Sequence, residues 1–360
     1  MKNFFAVIMA GGVGSRFWPI SRTAYPKQFI DILGTGKTLI QQTYERFLKI
    51  VPAQNIYIVT NDSYRGLVKE QLPEINMDQI LGEPVMRNTA PCIAYACHKI
   101  AQINPDASIV VSPADHLILD TEEFVKDIQL SLDAATRNNC LITLGIKPSR
   151  PDTGYGYIQF TSHTLENHLH KVKTFTEKPN VELAKTFVQS GEFLWNAGIF
   201  VWSASSILSA FESHLPEMND IFKEGDSKYN TPDEQPFIQH AYYQCTNISI
   251  DYAILEKATN VYVLPTDFGW SDLGTWASVY ELKEKDALGN AVIPQERVML
   301  YDSTNCMINV SPDKIVVLQG LNDYIVVEAN NTLVVCRKTE EQRVKQFVAD
   351  AKAKFGAEYI

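Results

Sequence analysis

In the first 145 residues, short apolar runs alternate with segments whose apolar residues recur at helical spacing. The runs predict strands over 3–9, 55–60, 79–81, 107–112 and 140–145, and the spaced segments predict helices over 37–51, 63–72, 91–103 and 121–138. Strands that alternate with helices of this length predict an α/β fold, with a parallel sheet covered by helices on both faces. In such sheets a ligand binds beyond the carboxyl ends of the strands, so each loop that follows a buried strand is a candidate site.

After Pro148 the pattern changes twice. Strands over 155–160, 172–175 and 198–202 are expected among helices over 181–190, 204–211 and 249–258, while the polar segment 221–237 predicts a surface excursion. From about residue 286, apolar bursts separated by Asp, Asn and Gly turns predict an all-β tail closed by a helix over 340–355. We therefore expect two domains, over residues 1–280 and 281–360.

The charge balance limits the partners of the chain. Its 32 Lys and Arg residues stand against 42 Asp and Glu residues, for a net charge of −10. A general nucleic-acid binder needs a basic surface, so we expect no nucleic-acid partner. The apolar runs are too short to span a bilayer and the start lacks a signal-peptide pattern, so we expect no membrane partner and a cytoplasmic location.

A glycine-rich segment, Ala10-Gly11-Gly12-Val13-Gly14-Ser15-Arg16, follows the first strand directly. Glycines at such a position let backbone N–H groups approach an anion closely. The segment is neither the dinucleotide fingerprint, because Phe17 stands where the last Gly would be, nor a Walker loop. A plain tight turn would explain the glycines alone, but Arg16 and the nearby Lys27 favour a phosphate site.

The stretch FFAVIMAGGVGSRFWPISRTAYPKQF resembles the signature of sugar-phosphate nucleotidyltransferases, and its WPISR and PKQF elements resemble mannose-1-phosphate guanylyltransferases more narrowly. The resemblance continues, in the order of the family, through LGEPVMRNTAPCIAYA, VSPADH, PDTGYGYI, FTEKP, WNAGIFVW, SIDYAILEK and DFGWSDLGTW. It covers about residues 4 to 276. It implies a Rossmann-like nucleotidyltransferase domain with a mixed, mainly parallel sheet, followed by a small β-rich domain like a left-handed β-helix.

The implied reaction transfers GMP from GTP to mannose 1-phosphate and gives GDP-mannose and pyrophosphate. A sugar-phosphate oxygen attacks the α-phosphorus in line, with Mg²⁺ as the cofactor. The resemblance implies the catalytic residues Arg16, Lys27, Asp115 and Asp272, of which Asp115 and Asp272 would hold the metal. Without a ligand, Asp115 would be explained as an ordinary loop residue or a helix N-cap, and Asp272 as a helix cap before Leu273.

The resemblance also assigns the two substrate subsites. The nucleotide subsite comprises Ala10, Gly11, Gly12, Gly14, Ser15, Glu83, Pro84, Arg87 and Asn88. The sugar-phosphate subsite comprises Gly154, Tyr155, Glu177, Lys178 and Asn196. A capped helix start at Asn88-Thr89 would explain part of the nucleotide motif with no ligand at all.

Three alternatives stay open at this point: the same chemistry on another nucleotide or hexose 1-phosphate, a noncatalytic regulatory subunit, and a metal-dependent glycosyltransferase. The last would need an Asp-x-Asp motif near a strand end, and the sequence has none there. Longer relatives fuse a phosphomannose isomerase to the transferase, and with about 85 residues after Thr275 we expect no isomerase activity. The β-rich tail is expected either to close over the sugar or to make the subunit contact of a homodimer.

Overall fold

The computed structural model of the protein describes residues 3–166 and 168–360. Its helices are α1 (Leu39–Leu48), α2 (Arg65–Gln71), α3 (Thr89–Ile103), α4 (Thr121–Arg137), α5 (Val181–Ser190), α6 (Ala204–His214), α7 (Pro216–Lys223), α8 (Glu234–Gln244), α9 (Trp276–Leu282) and α10 (Val344–Phe355). Its strands are β1 (Phe4–Met9), β2 (Ile56–Asn61), β3 (Ile80–Glu83), β4 (Ser108–Pro113), β5 (Leu117–Ile118), β6 (Leu141–Ile146), β7 (Tyr157–Thr164), β8 (His170–Thr176), β9 (Phe193–Ser203), β10 (Val261–Thr266), β11 (Trp270–Ser271), β12 (Ala291–Ile293), β13 (Val298–Tyr301), β14 (Met307–Asn309), β15 (Val316–Gln319), β16 (Tyr324–Ala329) and β17 (Thr332–Arg337). Among the described residues, none of the helices combines the length and the apolar composition that crossing a bilayer requires.

The chain forms two compact units. The first takes the chain up to Gly11, then Thr43–Ala114 and Ile118–Trp270, and the second takes Gly12–Gln42, Asp115–Leu117 and Ser271–Ile360. The second unit therefore combines the end of the glycine-rich segment with the C-terminal strands.

A nine-stranded sheet in the order β3-β2-β1-β4-β9-β6-β10-β8-β7 organises the first unit. Strands β3, β2, β1 and β4 are parallel, as the alternating sequence pattern predicts. Ala6, Val7 and Ile8 of β1 have no exposed surface, which fits a strand covered on both faces. Strand β9 runs antiparallel to both β4 and β6, so the sheet is mixed and the predicted α/β class is confirmed.

Parallel ladders organise the C-terminal part of the second unit. Strands β12, β14 and β16 pair in register, with Ala291 beside Met307 and Met307 beside Ile325. Strand β13 pairs with β15 in the same parallel manner. The paired positions recur after 16 or 18 residues, as in the successive coils of a β-helix, and this agrees with the predicted β-helix-like tail. Helix α10 follows the last strand, where the sequence predicts one.

The segment 221–237 is not the surface excursion that its polarity predicts. It contains the end of α7 and the start of α8, and Phe222, Tyr229 and Phe237 are buried in the main core of the first unit. The Tyr229 hydroxyl donates a hydrogen bond to the carbonyl of Phe222 at 2.8 Å, which satisfies its polar end inside this core. The prediction was wrong because a few aromatic residues anchor the segment in the core. They are too widely spaced to form a regular hydrophobic period in the sequence.

Candidate active site

The glycine-rich segment takes backbone conformations that favour glycine at two positions. Gly12 has φ 84° and Gly14 has φ 69°, and both angles lie in the left-handed region. Gly14 precedes a single 3-10 turn, Ser15–Phe17, and its carbonyl accepts the N–H of Phe17 at 2.9 Å. A Cβ atom at position 14 would lie 2.4 Å from the Cβ of Lys27. Glycine is therefore required at 14 both by the turn and by the close approach of Lys27.

Lys27 is a buried cation, with only 4% of its surface exposed. Its backbone N–H donates to the carbonyl of Val13 at 3.2 Å, which ties it to the glycine-rich segment. Its Nζ donates to Asp115 Oδ2 at 2.9 Å and to the main-chain oxygen of Asp272 at 2.7 Å. A buried ammonium is stable only with such partners. One lysine thus brings together Asp115 and Asp272, which lie 157 positions apart in the sequence.

Asp115 is held in its ionised form. Burial alone would raise the pKa of Asp115, but the charges of Lys27 and His116, together with the Lys27 hydrogen bond, outweigh burial and keep that pKa below its ordinary value. At neutral pH the Lys27–Asp115 contact is therefore a true ion pair.

Asp272 lies in a tight turn before α9. Its Oδ1 accepts the N–H of Gly274 at 2.9 Å, and Leu273 between them has φ 45°. Helix α9 is capped by Thr275, whose side chain accepts the N–H of Ser278, so Asp272 does not cap this helix itself. The Asp272 side chain therefore orders the turn that presents its own carbonyl to Lys27.

The carboxylates of Asp115 and Asp272 are the donors that a divalent cation could use here. Carboxylate oxygens suit Mg²⁺, which takes one or two carboxylates from protein and fills the remaining positions with water and phosphate oxygens. No group of three or more His, Cys, Asp and Glu side chains with the arrangement of a metal site occurs in the described part of the chain. The chemistry of these two carboxylates suits a divalent cation that takes its other ligands from water and substrate.

Arg16 has a different partner. It lies in the 3-10 turn after Gly14, and its Nε donates to Gln342 Oε1 at 3.2 Å. Gln342 belongs to the segment that leads into α10 and lies outside every motif used in the sequence analysis. No local signal in the sequence could have identified it.

Four residues of the predicted nucleotide subsite lie between the end of β3 and the start of α3. Glu83 is 5% exposed, and its Oε1 accepts the hydroxyl of Tyr242 at 3.0 Å. Burial raises the pKa of Glu83 to about 7, although the Tyr242 hydrogen bond opposes the rise. Arg87 Nε donates to the carbonyl of Tyr242 at 3.4 Å. Tyr242, which the sequence analysis missed, is therefore the common partner of Glu83 and Arg87.

Pro84 and Asn88 complete this segment. Pro84 is half-buried directly after Glu83. Asn88 has φ 69°, and its side chain accepts the N–H of Thr89 at 2.9 Å at the start of α3. The capped helix start that the sequence offered as an alternative is present.

The residues predicted to bind the sugar lie around the ends of β7, β8 and β9. Lys178 Nζ and Glu177 Oε1 form an ion pair at 2.6 Å, and the Glu177 side chain is largely buried. The backbone N–H of Gly154 donates to Asp152 Oδ1 at 2.8 Å. The ring of Tyr155 packs edge-on against Trp195 and Trp270, with centroids 5.0 and 5.2 Å away.

Asn196, in β9, links this group to a residue that the sequence analysis did not select. Its Nδ2 donates to Asp251 Oδ1 at 2.9 Å. Asp251 begins a π-helical turn, Asp251–Leu255, where the sequence predicts a longer helix. Asp251 lies in the motif SIDYAILEK, which carries part of the family resemblance, and within a helix predicted over 249–258 an acid in the first turn is an ordinary residue. Its contact with Asn196 is tertiary and leaves no local pattern.

Comparison with known proteins decides the family. A family model described as Nucleotidyl transferase matches residues 5–288, and one described as MannoseP isomerase/GMP-like beta-helix domain matches residues 296–350. This chain belongs to the nucleotidyl transferase family. The resemblance found in the sequence is thereby confirmed.

Individual relatives match this nucleotidyl transferase over nearly its full length. The alginate biosynthesis protein AlgA of Pseudomonas aeruginosa is 37% identical over 351 residues, which cover 96% of this chain and 72% of AlgA. A mannose-1-phosphate guanylyltransferase of Salmonella montevideo is 36% identical over 375 residues, covering 98% of this chain and 75% of the relative. A crystal structure described as a mannose-1-phosphate geranyltransferase of Thermus thermophilus superposes with a TM-score of 0.86 at 28% identity, covering 97% of this chain and 99% of that one.

In this nucleotidyl transferase the predicted site residues form separate groups. Lys27, Asp115 and Asp272 are brought together in the second unit. In the first unit, Glu83 and Arg87 share Tyr242, Glu177 pairs with Lys178, and Asn196 bonds Asp251.

Proposed function

We propose that this chain transfers GMP from GTP to mannose 1-phosphate and releases GDP-mannose and pyrophosphate. The observation that carries the proposal is the buried Lys27 beside the glycine-rich segment, bonded to Asp115 and to the carbonyl of Asp272. The choice of substrates is supported by the relative named mannose-1-phosphate guanylyltransferase, 36% identical over 98% of the chain.

The reaction needs no general base. The second pKa of a phosphate monoester is about 6, so mannose 1-phosphate is already a dianion near pH 7. One of its oxygens forms a bond to the α-phosphorus of GTP while the bond from that phosphorus to the bridging oxygen breaks, and pyrophosphate leaves in line. Because two anions must meet, the protein has to supply position and positive charge.

Cationic side chains and backbone N–H groups supply the charge. Lys27 and Arg16 would neutralise the leaving pyrophosphate, and N–H groups of the glycine-rich segment would hold its oxygens. The backbone donors would be those of Gly11, Gly12, Gly14 and Ser15. Ala10 would line the start of the segment, because its N–H is already bonded to the carbonyl of Val59 at 2.8 Å. Asp115 and Asp272 would hold Mg²⁺, which, when bound, would neutralise charge on the phosphate oxygens and polarise the α-phosphate.

A second set of residues supplies recognition. Guanine presents N–H donors on one edge, which suit the Glu83 carboxylate, and acceptors on another, which suit N–H donors such as Arg87. Pro84 and Asn88 would shape this subsite. Glu177 would accept sugar hydroxyls, Lys178 would meet the attacking phosphate, and Gly154, Tyr155 and Asn196 would line the sugar.

A pyrophosphate-release assay over a substrate panel tests the proposal. GTP, ATP, UTP and dTTP are each paired with mannose 1-phosphate and with glucose 1-phosphate, in the presence of Mg²⁺. We expect kcat/KM to be highest for GTP with mannose 1-phosphate. A higher value for another pair would support the same chemistry on other substrates, and no turnover on any pair would contradict the proposal.

Three broader assignments belong to the same proposal. A division into a catalytic domain over 1–280 and a β-rich domain over 281–360 is supported by the limits of the two family models. The second is a cytoplasmic location without a nucleic-acid or membrane partner, of which the net charge of −10 supports the lack of a nucleic-acid partner. The third is a homodimer, which light scattering tests: the measured mass should be about twice that of one chain.

A further inference from the structure

The amide group of Asn196 is engaged at both ends inside the protein. Its Oδ1 accepts the hydroxyl of Thr143 at 2.8 Å and the N–H of Gly198 at 3.1 Å. Its Nδ2 donates to Asp251 Oδ1 at 2.9 Å. These three bonds fix the amide, and they give Asn196 a positioning role in which it holds one oxygen of the Asp251 carboxyl.

Asp251 shares its surroundings with Glu177 but not with a cation of its own. The side chains of both residues are nearly buried. The ammonium of Lys178 is bonded to Glu177 at 2.6 Å, whereas the side-chain partner of Asp251 is the neutral Asn196 amide. Two carboxyls in such a place disfavour each other's charge, so the one without the cation takes up the proton more readily.

The charged and titratable groups around the pair agree with this division. Burial, followed by the charge of Glu177, raises the pKa of Asp251 to about 7, while Lys178 opposes the rise. Glu256, from the same helical segment, also faces Glu177, and Tyr252 faces Lys178. Near neutral pH, a substantially protonated Asp251 therefore lies beside the carboxyl group that is paired with Lys178.

This combination matches a sugar. A protonated carboxyl donates one hydrogen bond and a carboxylate accepts several, while each ring hydroxyl both donates and accepts. Gly156 lets the Glu177 carboxylate lie close to Asn196, because a Cβ at this position would lie 2.5 Å from Glu177 Oε2 and 3.4 Å from Asn196 Cβ. Two neighbouring hydroxyls of one ring can therefore be bound in opposite senses.

We propose that Asp251 recognises the sugar 1-phosphate: Asn196 holds one of its oxygens, and the other donates a hydrogen bond to a ring hydroxyl beside Glu177. The inference rests on the proposed function and adds Asp251 to the sugar subsite, with Asn196 as the residue that positions it. If Asp251 had only a structural role, KM for the sugar 1-phosphate would not depend on the protonation of its carboxyl. The proposal requires that this KM does depend on it.

The test compares Asp251→Ala with Asp251→Asn. Removing the donor in Asp251→Ala should raise KM for mannose 1-phosphate about 10-fold and leave KM for GTP within about twofold. Asp251→Asn keeps both an acceptor for Asn196 and an N–H donor, so it should restore KM to within about threefold of wild type. Asp127→Ala is the matched control, because Asp127 on α4 is a comparably buried carboxyl outside this group, and it should leave both KM values unchanged.

A pH profile separates recognition from folding. As the pH rises through about 7, the wild-type KM for mannose 1-phosphate should increase relative to that of Asp251→Asn, whose donor does not titrate. Deoxy-mannose 1-phosphates then locate the hydroxyl: one deletion should raise KM in the wild type and have little further effect in Asp251→Ala.

The outcomes are distinguishable. An unchanged KM in Asp251→Ala would overturn the role of Asp251. So would deoxy analogues that all raise KM by the same factor in this variant as in the wild type. Either result would leave the proposed function standing. A wild-type protein inactive on every sugar 1-phosphate would overturn both.

Discussion

Replacing Lys27 by methionine removes the buried ammonium and keeps a side chain of similar length. Lys27 is 4% exposed and binds Asp115, whose side chain is 31% exposed. Breaking a fully buried ion pair costs about 3–5 kcal/mol, but water reaches Asp115 here, so we expect the free energy of unfolding to fall by about 1–3 kcal/mol. The loss of a charge aimed at the leaving group should lower kcat by about 10²–10³-fold, or roughly 2.7–4 kcal/mol of transition-state stabilisation.

Pyrophosphate release at saturating GTP and mannose 1-phosphate measures kcat, and urea unfolding measures stability. Lys99→Met is the matched control. It breaks a buried lysine–carboxylate pair of similar geometry, Lys99 with Glu234 at 2.5 Å, whose partners have no proposed role in the reaction. At a temperature where both variants are folded, Lys99→Met should keep wild-type kcat. The reasoning is refuted if Lys27→Met keeps kcat within about twofold, or if Lys99→Met loses as much as Lys27→Met.

The stability difference between wild type and Lys27→Met should also depend on pH. The folded-state pKa of Asp115 lies below its ordinary value, so its pairing stabilises the protein above the unfolded pKa of about 3.9 and is lost as the pH falls through the folded pKa. The gap between the two unfolding free energies should therefore be widest above about pH 4 and narrow below it. A gap that stays constant down to pH 2 would contradict the ion pair.

Three further variants test the other groups of the site. Arg16→Ala should lower kcat by about 10²–10³-fold in the same assay, and wild-type turnover would remove Arg16 from the pyrophosphate site. Asp272→Asn should shift the Mg²⁺ titration of activity to higher concentration without unfolding the protein, and an unchanged titration would exclude Asp272 as a ligand. Wild-type KM for GTP should rise as the pH falls through about 7 and Glu83 becomes protonated; in Glu83→Gln, KM should be about 10-fold higher and independent of pH in this range.

The local elements of the fold were predictable where the sequence has a period. The helix predicted over 181–190 coincides with α5 (Val181–Ser190), because its apolar spacing, its Asn180 cap and the following Gly191 all agree. The antiparallel insertion of β9 between β4 and β6 was not predictable in this way, since strand order depends on pairings between distant residues. The burial of residues 221–237 could not be predicted either, because their buried aromatic side chains are too widely spaced to form a hydrophobic period.

The site shows the same division between local and tertiary information. Lys27, Asp115 and Asp272 could each be selected from the motifs that carry them. Only the fold, however, brings Lys27 to Asp115, which lies 88 positions away in the sequence, and to Asp272, which lies 245 positions away. Tyr242 and Asp251 could not be selected from the sequence, because tertiary hydrogen bonds link them to the site: Tyr242 to Glu83 and Arg87, and Asp251 to Asn196. A tyrosine in a helix and an acid at the start of another have many structural roles, and local sequence cannot choose among them.

A crystal structure of the protein with GDP-mannose and Mg²⁺ tests the central claim most directly, because it shows both halves of the product at once. The account predicts the guanine within hydrogen-bond distance of Glu83 and the mannose ring within hydrogen-bond distance of Glu177 and Asp251. GDP-mannose bound elsewhere, or bound here with neither half contacting these carboxyl groups, would contradict it.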